Sequence, residues 1–238
     1  MLAQFLGCRG SDKPDRGKRA SMSSWRIHLV LVAALMAGCA ASSGQPPLMQ
    51  PDSAEFQSRA PDVCQVRLET TKGLIVLEVR RAWAPNGVDR FYNLVRAGYY
   101  DDTAIFRIRE GVFAQFGIHG DPAVAQRWRG RTIPDDPRVL SNVRGTVAFA
   151  FKIPNGRATQ VFINLRDNSA AFDAEPFVPF ARIVEGMEVA DALYAAYGEQ
   201  AGGGIRAGKQ DPVFDRGNAY LRRDFPNLDY IKRATLAK

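Results

Sequence analysis

Histidine and cysteine are scarce in this sequence: two of the first, His28 and His119, and three of the second, Cys8, Cys39 and Cys64, among 238 residues. His28 falls in an N-terminal targeting stretch, and His119 in GIHGDP reads as a loop residue. A Ser–His or Cys–His nucleophile and a multi-histidine metal site therefore lack material. Cys8 and Cys39 lie within or at the edge of the same stretch, so Cys64 stands alone at the start of a strand and no internal disulfide framework is available. The carboxylates show no spaced pair of the glycosidase or metal-binding kind. The triple glycine at 202–204 lacks the strand, spacing and lysine of a phosphate-binding loop and reads as a flexible surface loop. The longest apolar run, 27–38, is too short to span a bilayer.

Apolar residues are plentiful, at 46%, enough for one sizeable core. The formal net charge is +7, but Arg9, Lys13, Arg16, Lys18, Arg19 and Arg26 against Asp12 and Asp15 place much of it before Cys39. The remainder carries too small an excess to point to a nucleic-acid partner, and QRWRGR at 126–131 reads as a solvated loop. The apolar run behind this basic region has the proportions of a secretory signal, which assigns 1–38 to a signal segment. A start at Met22 gives that signal a more usual length, which makes 1–21 an over-extended start. The run ends in LMAGC, which resembles the lipobox of bacterial lipoproteins and implies lipidation at Cys39. The alternative is an ordinary signal peptide cleaved near AASS. Ala40 after the cysteine, where an aspartate is associated with inner-membrane retention, points by analogy to an outer-membrane lipoprotein on the periplasmic side of the cell envelope. Residues 39–62, rich in Ser, Pro, Gln and Ala, read as a flexible tether.

Ordered structure is predicted from Val63. Residues 65–69 and 74–79 flank a turn with Gly73, a hairpin signal. Val88, Phe91, Tyr92, Leu94 and Val95 recur at helical spacing before Gly98. Strand-like pieces follow at 103–108, 112–116, 145–151, 160–165 and 177–184. A second helix is predicted over 186–197, a short third before Pro226, and a last strand from Tyr230. Many short strands without βαβ alternation make the fold mainly β, a closed antiparallel barrel capped by two or three helices.

Arg107 breaks the apolar pattern of 103–108. Strand alternation places Arg107 with Ile105 on the face opposite Phe106 and Ile108, so the guanidinium leaves the core side. A turn at REG brings Phe113 and Gln115 onto the same patch. The plainer reading is an exposed arginine paired with Glu110 or Glu78. The strings IFRIREGVFAQFG, VRGTVAFAF, ATQVFIN and FVPFARIVEGMEVADALY, in that order and spacing, resemble the motifs of the cyclophilin-type peptidyl-prolyl isomerases, and the similarity covers about 66–197.

That resemblance implies an eight-stranded closed barrel over 63–238 that accelerates rotation about X-Pro bonds in unfolded or folding envelope or secreted proteins. Arg107 takes the catalytic place, Gln115 a substrate-binding place, and Phe113 and Phe162 line the proline pocket. Val112, Ala150 and Gln160 fall on further groove positions. The family's groove tryptophan is missing, with Ala171 or Phe172 nearest to it. Phe177 stands for the groove histidine, and one extra residue intervenes between 171 and 177. Weak sensitivity to cyclosporin is the expectation. No cofactor or metal is implied, a monomer is expected, and the membrane is reached through Cys39. The competing expectation, resting on the altered groove, is a tethered proline-peptide-binding module or chaperone with little isomerase activity.

Overall fold

Strand β1 (Val63–Thr70) alternates exposed and buried side chains up to a turn closed by Thr70, whose hydroxyl donates to the Gly73 carbonyl at 2.7 Å. The chain returns as β2 (Leu74–Arg80), paired antiparallel from Glu69↔Leu74 to Val63↔Arg80. The computed structural model describes residues 47–202 and 209–237. The expected signal segment 1–38, Cys39 and the 203–208 part of the expected loop lie outside the described residues.

Helix α1 (Pro85–Arg96) buries Val88, Phe91, Leu94 and Val95 and stops at Gly98, which takes φ 71°. Its first residues carry no side-chain cap of their own. Instead Asp136 accepts the Asn86 and Gly87 N–H groups, each at 3.0 Å, meeting free donors and the positive helix end with one carboxylate. Then come β3 (Thr103–Ala104), β4 (Arg107–Arg109), β5 (Phe113–Phe116), α2 (Pro122–Trp128), β6 (Thr146–Phe149) and β7 (Val161–Asn164). The chain closes with α3 (Ser169–Phe172), β8 (Pro179–Glu185), α4 (Met187–Asp191), α5 (Asp211–Asp224) and β9 (Tyr230–Leu236).

The sheet runs β3-β9-β1-β2-β8-β6-β7-β5-β4 and is antiparallel throughout. It is an open half-barrel of nine strands, not the closed eight-stranded barrel expected from the sequence. The reason is local. Strands β3 and β4 are consecutive pieces of one run interrupted at Ile105 and Phe106, so they cannot lie side by side. The Ile105 N–H goes to the Asp229 carbonyl at 2.8 Å, and that of Ile108 to the Gly198 carbonyl at 3.1 Å. The same interruption breaks the expected alternation: Ile105 and Ile108 enter the main core, while Phe106 joins a second cluster with Val213, Phe214 and Leu221 of α5.

The described residues hold five α-helices and three short 3-10 helices, where two or three helices were expected. The predicted helix 186–197 ends at Asp191, because the Tyr194 N–H is taken by Asp229 Oδ2 at 2.7 Å rather than by the helix. The stretch 126–131, read as a solvated loop, begins inside α2, and Trp128 is wholly buried. Its Nε1–H donates to the Leu48 carbonyl at 2.8 Å, and Phe56 meets its ring edge-on at 4.7 Å. Residues 47–62 of the expected tether are therefore packed on the domain, with Phe56 and Ala60 buried. Burying Phe56 alone is worth about 1.5–3 kcal/mol, which outweighs the polar composition around it.

Candidate active site

Cross-strand partners in a sheet share a face, so the ladder itself decides which side chains meet. Arg107 of β4 pairs with Gln115 of β5, Gln115 with Phe162 of β7, and Phe162 with Ala148 of β6. These four residues form one row across four strands. Ile108, Ala114, Ile163 and Val147, one position along, face the main core. Phe113 lies two residues before Gln115 and therefore joins the row's face. A groove of about 570 Å³ opens over it.

The floor is aromatic. Phe113, Phe162 and Ala148 are buried together, with Val112, Ala150, Phe172 and Phe177 packed against them. Phe162 meets Phe113 at 5.9 Å, Phe172 at 5.6 Å and Phe177 at 5.3 Å between ring centroids. Such a floor has the shape and polarity for one small apolar ring. Gly117 lets the wall approach: it takes φ 106°, and a Cβ there would lie 2.4 Å from the Thr159 carbonyl oxygen. That approach sets Gln160 beside Gln115.

Above the floor the Arg107 guanidinium carbon lies 4.9 Å from the Phe113 ring centroid. Its Nη1 donates to Gln115 Oε1 at 2.9 Å, and its Nε donates to Glu199 Oε1 at 2.8 Å; Nη2 donates to the same Glu199 oxygen. Arginine has only donors, so Gln115 must turn its oxygen toward it and its amide toward Gln160, to which Nε2 donates at 2.8 Å. Gln160 in turn exchanges hydrogen bonds of 2.9 and 3.0 Å with Gln210. One arginine thus sets the polarity of a chain of three glutamines, of which Gln115 and Gln210 are buried and Gln160 half-buried.

Eight of the nine expected groove residues, Arg107, Phe113, Gln115, Ala150, Gln160, Phe162, Phe172 and Phe177, line the groove; Val112 packs behind its floor. Phe172 and Ala171 stand on the wall where the resemblance placed a tryptophan, and no tryptophan is among the groove's lining residues. Neither expected partner of the arginine pairs with it: Glu78 instead holds Arg80 and Arg182. Sequence reasoning missed Glu199 and also Gln210 and Phe214, which the second apolar cluster brings to the groove's end, and Arg129, whose guanidinium lies over Phe214.

His119 does not reach the groove. Its Nδ1 accepts the Asp121 N–H at 2.9 Å, its ring packs on Tyr99, and burial pushes its pKa down. Among the described residues no group of three or more histidine, cysteine, aspartate or glutamate side chains is placed to hold a metal ion. The chemistry available is an apolar slot, a fixed amide and a cation with free donors.

A family model described as cyclophilin type peptidyl-prolyl cis-trans isomerase matches residues 65–210. The chain is 34% identical over 139 residues to the peptidyl-prolyl cis-trans isomerase cyp18 of Streptomyces antibioticus, covering 54% of this chain and 81% of that one. It is 29% identical over 158 residues to the peptidyl-prolyl cis-trans isomerase B of Escherichia coli, covering 63% and 96%. The crystal structure of a Cryptosporidium parvum cyclophilin type isomerase matches with a TM-score of 0.52 at 20% identity over 74% of this chain and 98% of that one, and the same protein has been solved in the presence of the dipeptide Ala-Pro. With the sheet, the row across it and these relatives in agreement, the chain belongs to the cyclophilin-type peptidyl-prolyl cis-trans isomerases.

Proposed function

We propose that the groove isomerises X-Pro bonds of folding envelope or secreted proteins, with Arg107 as catalytic residue, while a lipid on Cys39 holds the domain 63–238 at the periplasmic face of the outer membrane. The observation that carries the chemistry is the ladder row, which puts a permanent cation and a fixed amide over an aromatic slot. The Ala-Pro dipeptide in whose presence the Cryptosporidium relative was solved carries one small apolar ring of the kind such a slot would take. The LMAGC string and the basic, apolar stretch before it support the anchor.

Rotation about an X-Pro bond must break C–N double-bond character, against a barrier of roughly 18–20 kcal/mol. In the twisted transition state the prolyl nitrogen regains its lone pair. A donor aimed there binds that state better than either planar form. The proline ring rests on Phe113 and Phe162, Gln115 holds a neighbouring carbonyl through its remaining N–H, and Arg107 supplies the donor. Each tenfold in rate requires about 1.4 kcal/mol of such preference. No nucleophile enters the scheme.

Two measurements test the two parts. Residues 47–238 should speed cis–trans exchange of a short X-Pro peptide in NMR exchange spectra. Binding of that peptide without acceleration would instead make the protein a proline-peptide module, a reading the Arg107–Glu199 pair favours if the carboxylate ties the arginine up. For the anchor, the full chain should incorporate labelled palmitate in a bacterial envelope, with the label lost in Cys39→Ser; an unlabelled soluble product would remove the lipid from the proposal.

A further inference from the structure

We infer that Glu199 is a positioning residue for Arg107, delivered to the groove by the unpaired edge of the sheet. This rests on the isomerase reading of the groove. At the open end of the half-barrel the outer edge of β4 finds no strand, and the Ile108 N–H is met instead by the Gly198 carbonyl at 3.1 Å. The strand that carries Arg107 thus grips the residue before Glu199. Gly198 takes φ 54°, a left-handed turn that swings the next side chain toward the groove. The segment is pinned on both sides: Tyr197 packs on Phe225 at 5.2 Å, Ala201 is buried, and a Cβ on Gly202 would lie 2.8 Å from the Phe106 ring.

The geometry of the pair assigns its role. One oxygen, Glu199 Oε1, takes both the Nε and an Nη2 proton, so the carboxylate holds the side edge of the guanidinium. Gln115 takes one proton of Nη1. Of five N–H groups, two remain, one on each Nη. The arginine is thereby held over Phe113 with two donors left for the prolyl nitrogen. Stability alone does not account for the contact, because the Glu199 side chain is 42% exposed and pairs of that kind are worth about 0–1 kcal/mol. Orientation is what the pair supplies, and a donor displaced by about 1 Å loses much of its effect on a transition state.

Because a single oxygen does the holding, charge and position can be separated. Glu199→Ala should lower kcat about tenfold with KM within about twofold, while Glu199→Gln, which keeps an acceptor oxygen but not the charge, should recover most of that loss. A second readout needs no catalysis: the Arg107 Nε–H should give a slowly exchanging ¹H–¹⁵N resonance in the parent and in Glu199→Gln, and lose it in Glu199→Ala. Both variants matching or exceeding the parent in kcat, with correctly folded spectra, would overturn the inference and make the carboxylate a restraint on the arginine's charge. A rapidly exchanging Nε–H in the parent would overturn it as well. If the parent shows no isomerase activity at all, the groove reading fails, and the resonance still decides whether Glu199 holds the arginine.

Discussion

Arg107→Ala should reduce kcat/KM for X-Pro exchange by about 10²–10³, the usual cost of removing one preorganised donor from a developing charge. The loss should fall mainly on kcat, because Phe113 and Phe162 remain to hold the proline ring and the donor is used only when the bond is twisted. Arg107→Lys should restore little. A lysine carries charge to the same place, but with three donors it cannot at once make the two bonds to Glu199, bind Gln115 and keep two donors for substrate. Exchange spectroscopy on one X-Pro peptide, with unchanged amide spectra as the control for folding, reads this directly. An alanine variant as fast as the parent would make Arg107 a structural residue and leave the groove without a catalyst.

A second large effect is expected in stability. Arg157 is fully buried: its Nε lies 2.9 Å from Asp135 Oδ1, its Nη1 donates to Asp136 Oδ2 at 3.1 Å, and its Nη2 donates to the Pro134 carbonyl. Asp136, 7% exposed, is also the carboxylate that caps α1. Arg157→Met keeps the volume but strands that carboxylate in the interior, which should cost about 3–5 kcal/mol. At about 2–4 °C per kcal/mol for a domain of this size, the melting temperature should fall by roughly 6–20 °C. Adding Asp136→Asn to Arg157→Met should return part of the loss, since a neutral amide still accepts from one α1 N–H without an unpaired charge. Urea unfolding of the two variants checks both statements. A loss below about 1 kcal/mol in Arg157→Met would show that the ion cluster carries no weight.

What could be read beforehand follows from how far the deciding contacts reach along the chain. The β1–β2 hairpin and α1 announce themselves because turn chemistry and helical periodicity are local. The row Arg107–Gln115–Phe162 is legible in the motif strings, since the β4–β5 hairpin and its β7 neighbour fix the faces. Trp128 is not, for it is buried by Leu48 and Phe56, far upstream in a stretch whose composition reads as a tether. Glu199 sits beside glycines that look like a loop. Only contacts of its neighbours Gly198, Tyr197 and Gly202 with Ile108, Phe225 and Phe106, all distant in the chain, show that its segment is held. The open sheet is illegible for the same reason, because β3 chooses β9, and no period in 103–108 records the break at Ile105 and Phe106.

The place of β9 has a consequence in time. It lies between β3 and β1, so the first hairpin stays an open edge until the last strand has been made or delivered. A chain emerging from its N-terminus therefore exposes β1's free backbone groups throughout synthesis, a template for pairing with other chains. The pairing of β9 with β1 joins residues at opposite ends of the domain, contacts of the slow class, and the sheet is complete only once Tyr230–Leu236 has arrived.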